Sequence, residues 1–425
     1  LENDKKDYTS YVAMFATLMS GGTYVPINAL TPNKRIKFIL DKSKANILIS
    51  QKKITGYKLK NFNEKNLLKL KKVNSFKLKK SNNDAYIIFT SGSTGEPKGV
   101  RISRKSLDHY ISWITKKFFN DKKIRCSQHP GIGFDLSVAD IYGTICSGGT
   151  LFPIKSVYDK LFLNRFIKVN KLTHWISVPS AIDLIFNNKF FKKKDLSNLK
   201  KMFFCGEILK KIHLDKIFRR NRDIKVINSY GPTEATVSCT AIKLNNSNYN
   251  KYSKPTVSIG RAIKNINIGL TNKTTKNMGE LFISGPQISS GYLNNHVLNK
   301  KKFTTIGNKN VFLTGDICKI YKGKYYFLNR SDRQVKINGN RIELEEIDSL
   351  IEKFTKSTSY TSIINNKIIT FYSGKTNLLK LQKKLSQYLP KYMLPKVIID
   401  IKKWPRNKNL KIDEKILMKQ YLNGK

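Results

Sequence analysis

Thr90-Ser91-Gly92-Ser93-Thr94-Gly95-Glu96-Pro97-Lys98-Gly99 is the stretch on which the reading of this chain turns. Four hydroxyls, three glycines and one lysine fall within it. It follows the apolar run Tyr86-Ile87-Ile88-Phe89, which reads as a buried strand. Glycine lets a backbone wrap closely around a ligand and aim successive N–H groups at it. Hydroxyls add donors, and Lys98 adds a point charge. The chemistry is that of a phosphate-gripping loop, with Thr90, Ser91, Gly92, Ser93, Thr94, Gly95 and Lys98 as its working residues. It is not the Walker pattern, in which Ser or Thr follows the lysine at the start of a helix. A flexible Gly/Ser linker fits poorly, because this run follows a strand abruptly and ends in Pro-Lys-Gly.

On either side of the loop the pattern alternates. Tyr8 to Met19 reads as an amphipathic helix ended by Gly21-Gly22, Arg35 to Asp41 as a second helix, and Ala45 to Ser50 as a strand. Gly56 to Lys80 reads as a polar, lysine-rich surface excursion. Strand-like runs recur at Thr173 to Val178, Lys201 to Cys205 and Lys225 to Asn228, with helical stretches at Asp159 to Val169 and Leu209 to Arg219. Strand and helix in alternation predict an α/β sheet. From Ser258 to Ser284, short strands with Gly and Asn turns predict a small β subdomain. Past Asp332 the pattern changes to a helix (Glu343 to Lys353), a hairpin (Ile363 to Tyr372) and another helix (Leu378 to Leu389). We therefore expect a large α/β domain over 1–331 and a small α+β domain over 332–425.

The formal charge of +51 raises the question of a nucleic-acid or membrane-surface binder. Such binders concentrate charge in a stripe or tail. Here short clusters such as Lys69-Leu70-Lys71-Lys72 only punctuate an even lysine background, so a compositional bias is the better reading, with no specific nucleic-acid partner. The charge still favours anionic ligands and acidic protein partners. No apolar run has the length of a membrane span. Five cysteines without a CxxC pair suit a reducing compartment, hence the cytoplasm, and no disulfide framework or zinc site is expected. The five histidines show no metal spacing, and none is assigned a role.

Three further motifs carry chemistry. Asn228-Ser229-Tyr230-Gly231-Pro232-Thr233-Glu234 puts an aromatic face, a hydroxyl and a carboxylate on one tight bend. Tyr230 can stack on a base, Thr233 can hold a phosphate oxygen, and Glu234 can hold Mg²⁺, which favours hard oxygen ligands. Thr314-Gly315-Asp316 places a carboxylate at a strand end, suited to ribose hydroxyls. In Arg330-Ser331-Asp332-Arg333, Arg330 can add a charged donor near the ribose, and Asp332 sits where the composition shifts, as a hinge would.

These four blocks, in this order, resemble the adenylate-forming (AMP-binding) superfamily of acyl-CoA synthetases, luciferases and adenylation domains. The nearer resemblance is to amino-acid adenylation domains and D-alanine–carrier-protein ligases. Gly22-Thr23-Tyr24-Val25-Pro26-Ile27, Phe134-Asp135-Leu136-Ser137-Val138, Gly279-Glu280-Leu281 and Gly291-Tyr292-Leu293 support it, and the match spans nearly the whole chain. The family carries more residues before Gly-Thr-Tyr-Val-Pro, so a shortened N-terminus is expected. The resemblance implies ATP and Mg²⁺ as cofactors and two steps: an acyl-adenylate forms with loss of pyrophosphate, and a carrier-protein phosphopantetheine thiol then takes the acyl group. It places Asn228, Tyr230, Gly231, Asp316 and Arg330 on the nucleotide, with Thr233 and Glu234 at the α-phosphate and metal. Lys411 matches the family's catalytic C-terminal lysine, although Leu410 stands where the family has Gly, as Asn329 does before Arg330.

By the same resemblance Asp135 pairs with a substrate α-ammonium, and Leu136, Ala139, Ser177, Phe203, Cys205, Ser229, Val237 and Ser238 line the pocket. A carboxylate in a small apolar cavity favours an ammonium and repels a fatty chain. The other role open to Asp135 is to cap the helix it precedes, and Cys205 can equally be a buried small hydrophobe. Alanine is the first substrate choice, D before L, with glycine and serine open because one methylene discriminates weakly. The enzyme is expected to be a monomer. An adenylation domain of nonribosomal peptide synthesis, an acyl- or aryl-CoA ligase, and a nucleic-acid-binding or structural protein on an inactive fold are the competing readings. The family rotates its C-terminal domain about the position of Asp332, which leads to a test. Asp332→Pro, which restricts the hinge backbone, should impair thiol transfer more than adenylation when both half-reactions are assayed; equal loss of both would count against the hinge.

Overall fold

The computed structural model describes residues 2–3, 8–50, 60–62, 83–92, 95–186, 193–254, 256–374, 376–402, 404–406 and 412–423. The chain packs as two units. The first comprises Leu1–Ala29, Lys42–Phe89 and Gly99–Asp332, and the second Leu30–Asp41, Thr90–Lys98 and Arg333–Lys425.

The first unit is built on a sheet of seven strands among the described residues. Their order is Arg261–Ala262, Thr240–Leu244, Lys225–Tyr230, Lys201–Phe204, His174–Ser177, Arg125–Gln128 and Thr150–Pro153. The last five run parallel, and Thr240–Leu244 pairs antiparallel with Lys225–Tyr230. The strand Lys201–Phe204 shows why a run of apolar residues forms here rather than an alternating one. Met202 and Phe204 enter one core cluster with Trp175 and Leu214, while Phe203 and the following Cys205 enter another with Ile227 and Val237. Both faces are covered, so both must be apolar. The helix Arg104–Lys117 is capped by Ser103, whose hydroxyl accepts from the Ser106 N–H at 3.0 Å. Leu107, Tyr110 and Ile114 recur at helical spacing and are buried.

A second, antiparallel sheet of the same unit comprises Asn267–Thr275, Met278–Ser284, Lys309–Tyr321, Phe303–Ile306 and Lys324–Arg330. It extends the expected β region well past Ser284. The expected helix Asp159 to Val169 is instead two, Val157–Leu161 and Leu163–Val169, broken at Phe162 with φ −120° and ψ 56°. The reason lies in burial: the second piece buries Leu163, Phe166 and Ile167, and the first buries nothing.

The second unit has a three-stranded sheet of Ser359–Ile364, Lys367–Tyr372 and Val397–Asp400. Alternation along Lys367–Tyr372 sends Ile368 and Tyr372 to a core with Ile347, Ile351 and Leu385, and Ile369 and Phe371 to a core with Leu417. None of the five cysteines is joined in a disulfide. No helix of the described residues is long and apolar enough to cross a membrane.

His174 is fully buried in the first unit, with Nε2 3.0 Å from Asp121 Oδ2. Burial, aided by the Lys201 charge and opposed by Asp121, pushes its pKa from 6.5 to about 4. The neutral ring therefore stabilises the fold fully above the unfolded pKa, and that contribution is lost as pH falls towards the folded one. Its size is on the order of 3 kcal/mol. The melting temperature should fall between pH 6.5 and 4, and His174→Asn should flatten that part of the profile.

Candidate functional site

In the first unit the strand Lys225–Tyr230 delivers Asn228, Ser229 and Tyr230 to a tight turn. The Asn228 amide donates to the Ser258 carbonyl at 2.8 Å, and the Ser229 hydroxyl to the Thr240 carbonyl at 2.6 Å. Gly231 has no room for a side chain, since a Cβ there would lie 2.4 Å from the Ser238 Cα. The short helical turn Thr233–Ala235 comes next, and Glu234 on it is fully buried. Its Oε1 accepts from the Tyr292 hydroxyl at 2.7 Å, and its carbonyl accepts from the Ser289 N–H at 2.8 Å. Thr236 and Val237 then adopt left-handed backbone, with φ of 53° and 69°. For β-branched residues this costs roughly 1–3 kcal/mol each, and such strain is concentrated at functional sites.

Residues read separately from the sequence join here in one hydrogen-bonded chain. The Tyr230 hydroxyl donates to Asp316, Asp316 pairs with the Arg330 guanidinium, and Arg330 grips Asp332 through Nε and Nη2 at 2.6 and 2.7 Å. Burial, with the Asp316 charge beside it, pushes the Tyr230 phenol well up, so it remains a donor. An aromatic ring beside a buried carboxylate and a guanidinium has the chemistry to hold a nucleoside.

Asp135 stands at the N-terminal end of the buried helix Leu136–Cys146, but its carboxylate makes no capping hydrogen bond to it. Leu136 and Ala139 are buried on that helix. Phe203 is fully buried, and the Cys205 thiol lies 3.7 Å from the Val237 carbonyl. The Ser177 hydroxyl is taken up by structure: it accepts from the Trp175 indole at 2.8 Å and donates to the Val178 carbonyl at 2.9 Å. Two tyrosines went unread in the sequence. Burial first, and then the Asp135 charge among others, pushes the Tyr86 phenol well up. Tyr110 is raised chiefly by burial, with Ser238, Cys205 and Asp135 around it. Tyr86 was legible only as part of an apolar strand; its hydroxyl is buried without a hydrogen-bond partner among the described residues. A carboxylate among protonated phenols is a setting for a cationic group.

In the second unit, Thr90 ends the strand Asp84–Thr90, Ser91, Gly92 and Gly95 follow in the loop, and Lys98 opens the strand Lys98–Ser103. Gly92 is obligatory, because a Cβ would sit 2.0 Å from the Glu96 carbonyl oxygen. The loop's donors are engaged by residues 341–346. Ser91 donates to the Arg341 carbonyl at 2.9 Å and accepts from the Glu343 N–H at 3.1 Å. The Gly92 N–H donates to Glu346 Oε2 at 3.2 Å, and Lys98 Nζ pairs with Glu343 Oε1 at 3.1 Å. Glu346 also pairs with Arg35 at 2.5 Å, and both are buried. Carboxylates thus meet the groups read as phosphate donors, so a phosphate arriving there would have to displace them. Arg35 and Glu346 were missed because their 311-residue separation leaves no local signal. Ser93, Thr94 and Lys411 lie outside the described residues.

Burial raises the Glu346 pKa, and Arg35 is the main opposing influence. Arg35→Met should therefore destabilise the protein by about 3 kcal/mol, because it strands a buried carboxylate. The double variant Arg35→Met/Glu346→Leu should recover most of that loss in urea unfolding.

Residues 8–293 match the family described as "AMP-binding enzyme". The "D-alanine--D-alanyl carrier protein ligase" of Listeria monocytogenes is 30% identical, over 96% of this chain and 86% of its own length. The ligase of that name from Staphylococcus aureus is 31% identical, over 97% of this chain and 87% of its own. The Vibrio cholerae adenylation domain AlmE, solved with glycyl-adenosine-5'-phosphate, superposes with a TM-score of 0.82 at 26% identity, over 99% of this chain and 88% of that one. With a glycine-rich loop, a tyrosine–aspartate–arginine chain and this extent of match, the chain belongs to the AMP-binding enzyme family and is an ATP-dependent, adenylate-forming ligase.

Proposed function

We propose that this ligase activates a small amino acid, alanine first and D before L, and passes it to the phosphopantetheine thiol of a carrier protein. The observation that carries the reading is Asp135: a carboxylate at the head of a buried helix that it does not cap, beside the buried phenols of Tyr86 and Tyr110. An ammonium group is the partner such a carboxylate favours. The names of the relatives support a D-alanyl carrier protein as partner, and the glycyl-adenylate held by the Vibrio cholerae domain supports a small aminoacyl group.

In this reading the amino acid's ammonium meets Asp135, and Leu136, Ala139, Ser177, Phe203, Cys205, Ser229, Val237 and Ser238 bound its side chain. One carboxylate oxygen attacks the α-phosphorus of ATP; that P–O bond forms as the α–β anhydride breaks and pyrophosphate leaves. Tyr230 stacks on adenine, with Asn228 and Gly231 shaping the turn, and Asp316 and Arg330 hold the ribose. Thr233 meets the α-phosphate. Thr90 to Lys98 would hold the outer phosphates, with Lys98 released from Glu343. Glu234, a buried hard-oxygen donor on the same turn as Thr233, fits Mg²⁺, which when bound would neutralise phosphate charge. Lys411 would bridge the acid and the phosphate while the adenylate forms. The carrier thiol then attacks the acyl carbon and AMP leaves. The part beyond Asp332 would act as the mobile lid.

Amino-acid-dependent ATP–pyrophosphate exchange tests the reading. On a panel containing both alanine enantiomers, glycine, serine, and fatty and aryl acids, D-alanine should give the highest kcat/KM. Asp135→Ala should lower it about 100-fold, as loss of a buried charge partner does. Exchange confined to fatty or aryl acids, or an undiminished Asp135→Ala enzyme, would overturn it.

A further inference from the structure

We propose that Gln287, oriented by His109, is the positioning residue that holds the turn from Glu234 to Ser238 in its strained form. One preset element would then serve both nucleotide and amino acid. The inference rests on the function proposed above.

Gln287 is fully buried. Its Nε2 lies 3.1 Å from the Ala235 carbonyl oxygen, 3.3 Å from that of Thr236 and 2.9 Å from that of Ser238. One amide group, with one N–H shared, thus serves three acceptors: the carbonyls of Ala235 before and Ser238 after the left-handed pair Thr236–Val237, and that of Thr236 within it. Its own backbone carbonyl accepts from the Thr236 hydroxyl at 2.7 Å. Oε1 lies 2.8 Å from His109 Nδ1. Three carbonyl oxygens around Nε2 require it to be the NH₂, so Oε1 is an acceptor and His109 donates from Nδ1. His109 sits on the helix Arg104–Lys117, whose Ser106 hydroxyl also reaches the Ile288 carbonyl at 3.3 Å. Two residues beyond Gln287, the Ser289 N–H holds the Glu234 carbonyl, and farther along Tyr292 holds its carboxylate.

The segment 287–292 therefore grips the turn at Glu234, Ala235, Thr236 and Ser238. Released from those bonds, β-branched residues at φ of 53° and 69° would relax towards extended backbone. That relaxation would rotate the peptides next to Glu234 on one side and Ser238 on the other. Gln287 itself has no role on the ligands in the proposed chemistry. It acts through the backbone, and the loss it causes should appear in binding at both ends of the turn together.

The test compares Gln287→Ala, His109→Leu and His109→Asn with the parent chain. MgATP affinity is read by calorimetry, the amino-acid KM by exchange, and folding by melting temperature. Gln287→Ala should weaken MgATP binding about tenfold and raise the amino-acid KM by a similar factor, as loss of a shared set of buried hydrogen bonds implies. His109→Leu should do the same about threefold. His109→Asn, which keeps an N–H donor, should stay within about twofold of the parent. Parent-like MgATP affinity in both Gln287→Ala and His109→Leu would overturn the inference. So would weakening that only tracks a lower folded fraction, or His109→Asn failing as badly as His109→Leu. An absence of amino-acid exchange in the parent would instead sink the amino-acid reading, while the MgATP affinities still decide the role of Gln287.

Discussion

Parallel register is the constraint on which the rest of the first unit depends. Phe204 pairs with Ser177 on one side and with Asn228 on the other. Two of these strands therefore end level, at Ser177 and Phe204, the third runs two residues farther to Tyr230, and their carboxyl ends emerge at a single edge. Within the ladder, apolar residues fill both faces because both are covered. At that edge the chain presents Cys205, and the strand Lys225–Tyr230 continues through Ser229 and Tyr230, still paired with Ala241 and Thr240, into the turn that follows. Ligand sites gather outside the carboxyl ends of parallel strands for this reason.

That edge would be only a set of loop ends without further ties. The tie from Tyr230 to Asp316, Arg330 and Asp332 connects the large sheet to the antiparallel sheet and ends on the residue expected to be the hinge. Asp332 thus has a second role open to it: its carboxylate orients the guanidinium assigned to the ribose. The turn after Tyr230 is tied on its other side by residues of the segment 287–292. Strain at Thr236 and Val237 persists because these neighbours over-determine the local backbone.

The loop in the second unit shows a different balance. Its N–H, hydroxyl and ammonium groups are the kind that bind phosphate, and carboxylates and peptide groups of residues 341–346 meet them. In a chain of formal charge +51, the anions that meet these groups are the chain's own carboxylates, Glu343 and Glu346. Buried ion pairs of this type contribute modest net stability but are costly to break one side at a time.

Much of this protein was legible without coordinates. The run from Thr90 to Gly99 and the bend from Asn228 to Glu234 show their chemistry in consecutive residues, because turns and loops are specified by local φ/ψ demands and local donors. Strand and helix alternation likewise predicts an α/β sheet, since covered strands must be apolar. Helix limits were less legible: the break at Phe162 depends on which piece finds a core to bury. The partners of the site were not legible at all. Gln287 and His109 lie 178 residues apart, and Arg35 and Glu346 lie 311 apart. Nothing near a lone glutamine or histidine in the chain marks it as a clamp. Sequence alone thus determined which chemical groups the protein has to offer: the hydroxyls, N–H groups and lysine of the glycine-rich loop, and the tyrosine, carboxylates and arginine of the later motifs. Tertiary packing alone decided which buried side chains hold those groups in place, because a hydrogen bond across a core depends on where distant elements meet and not on what lies beside each residue in the chain.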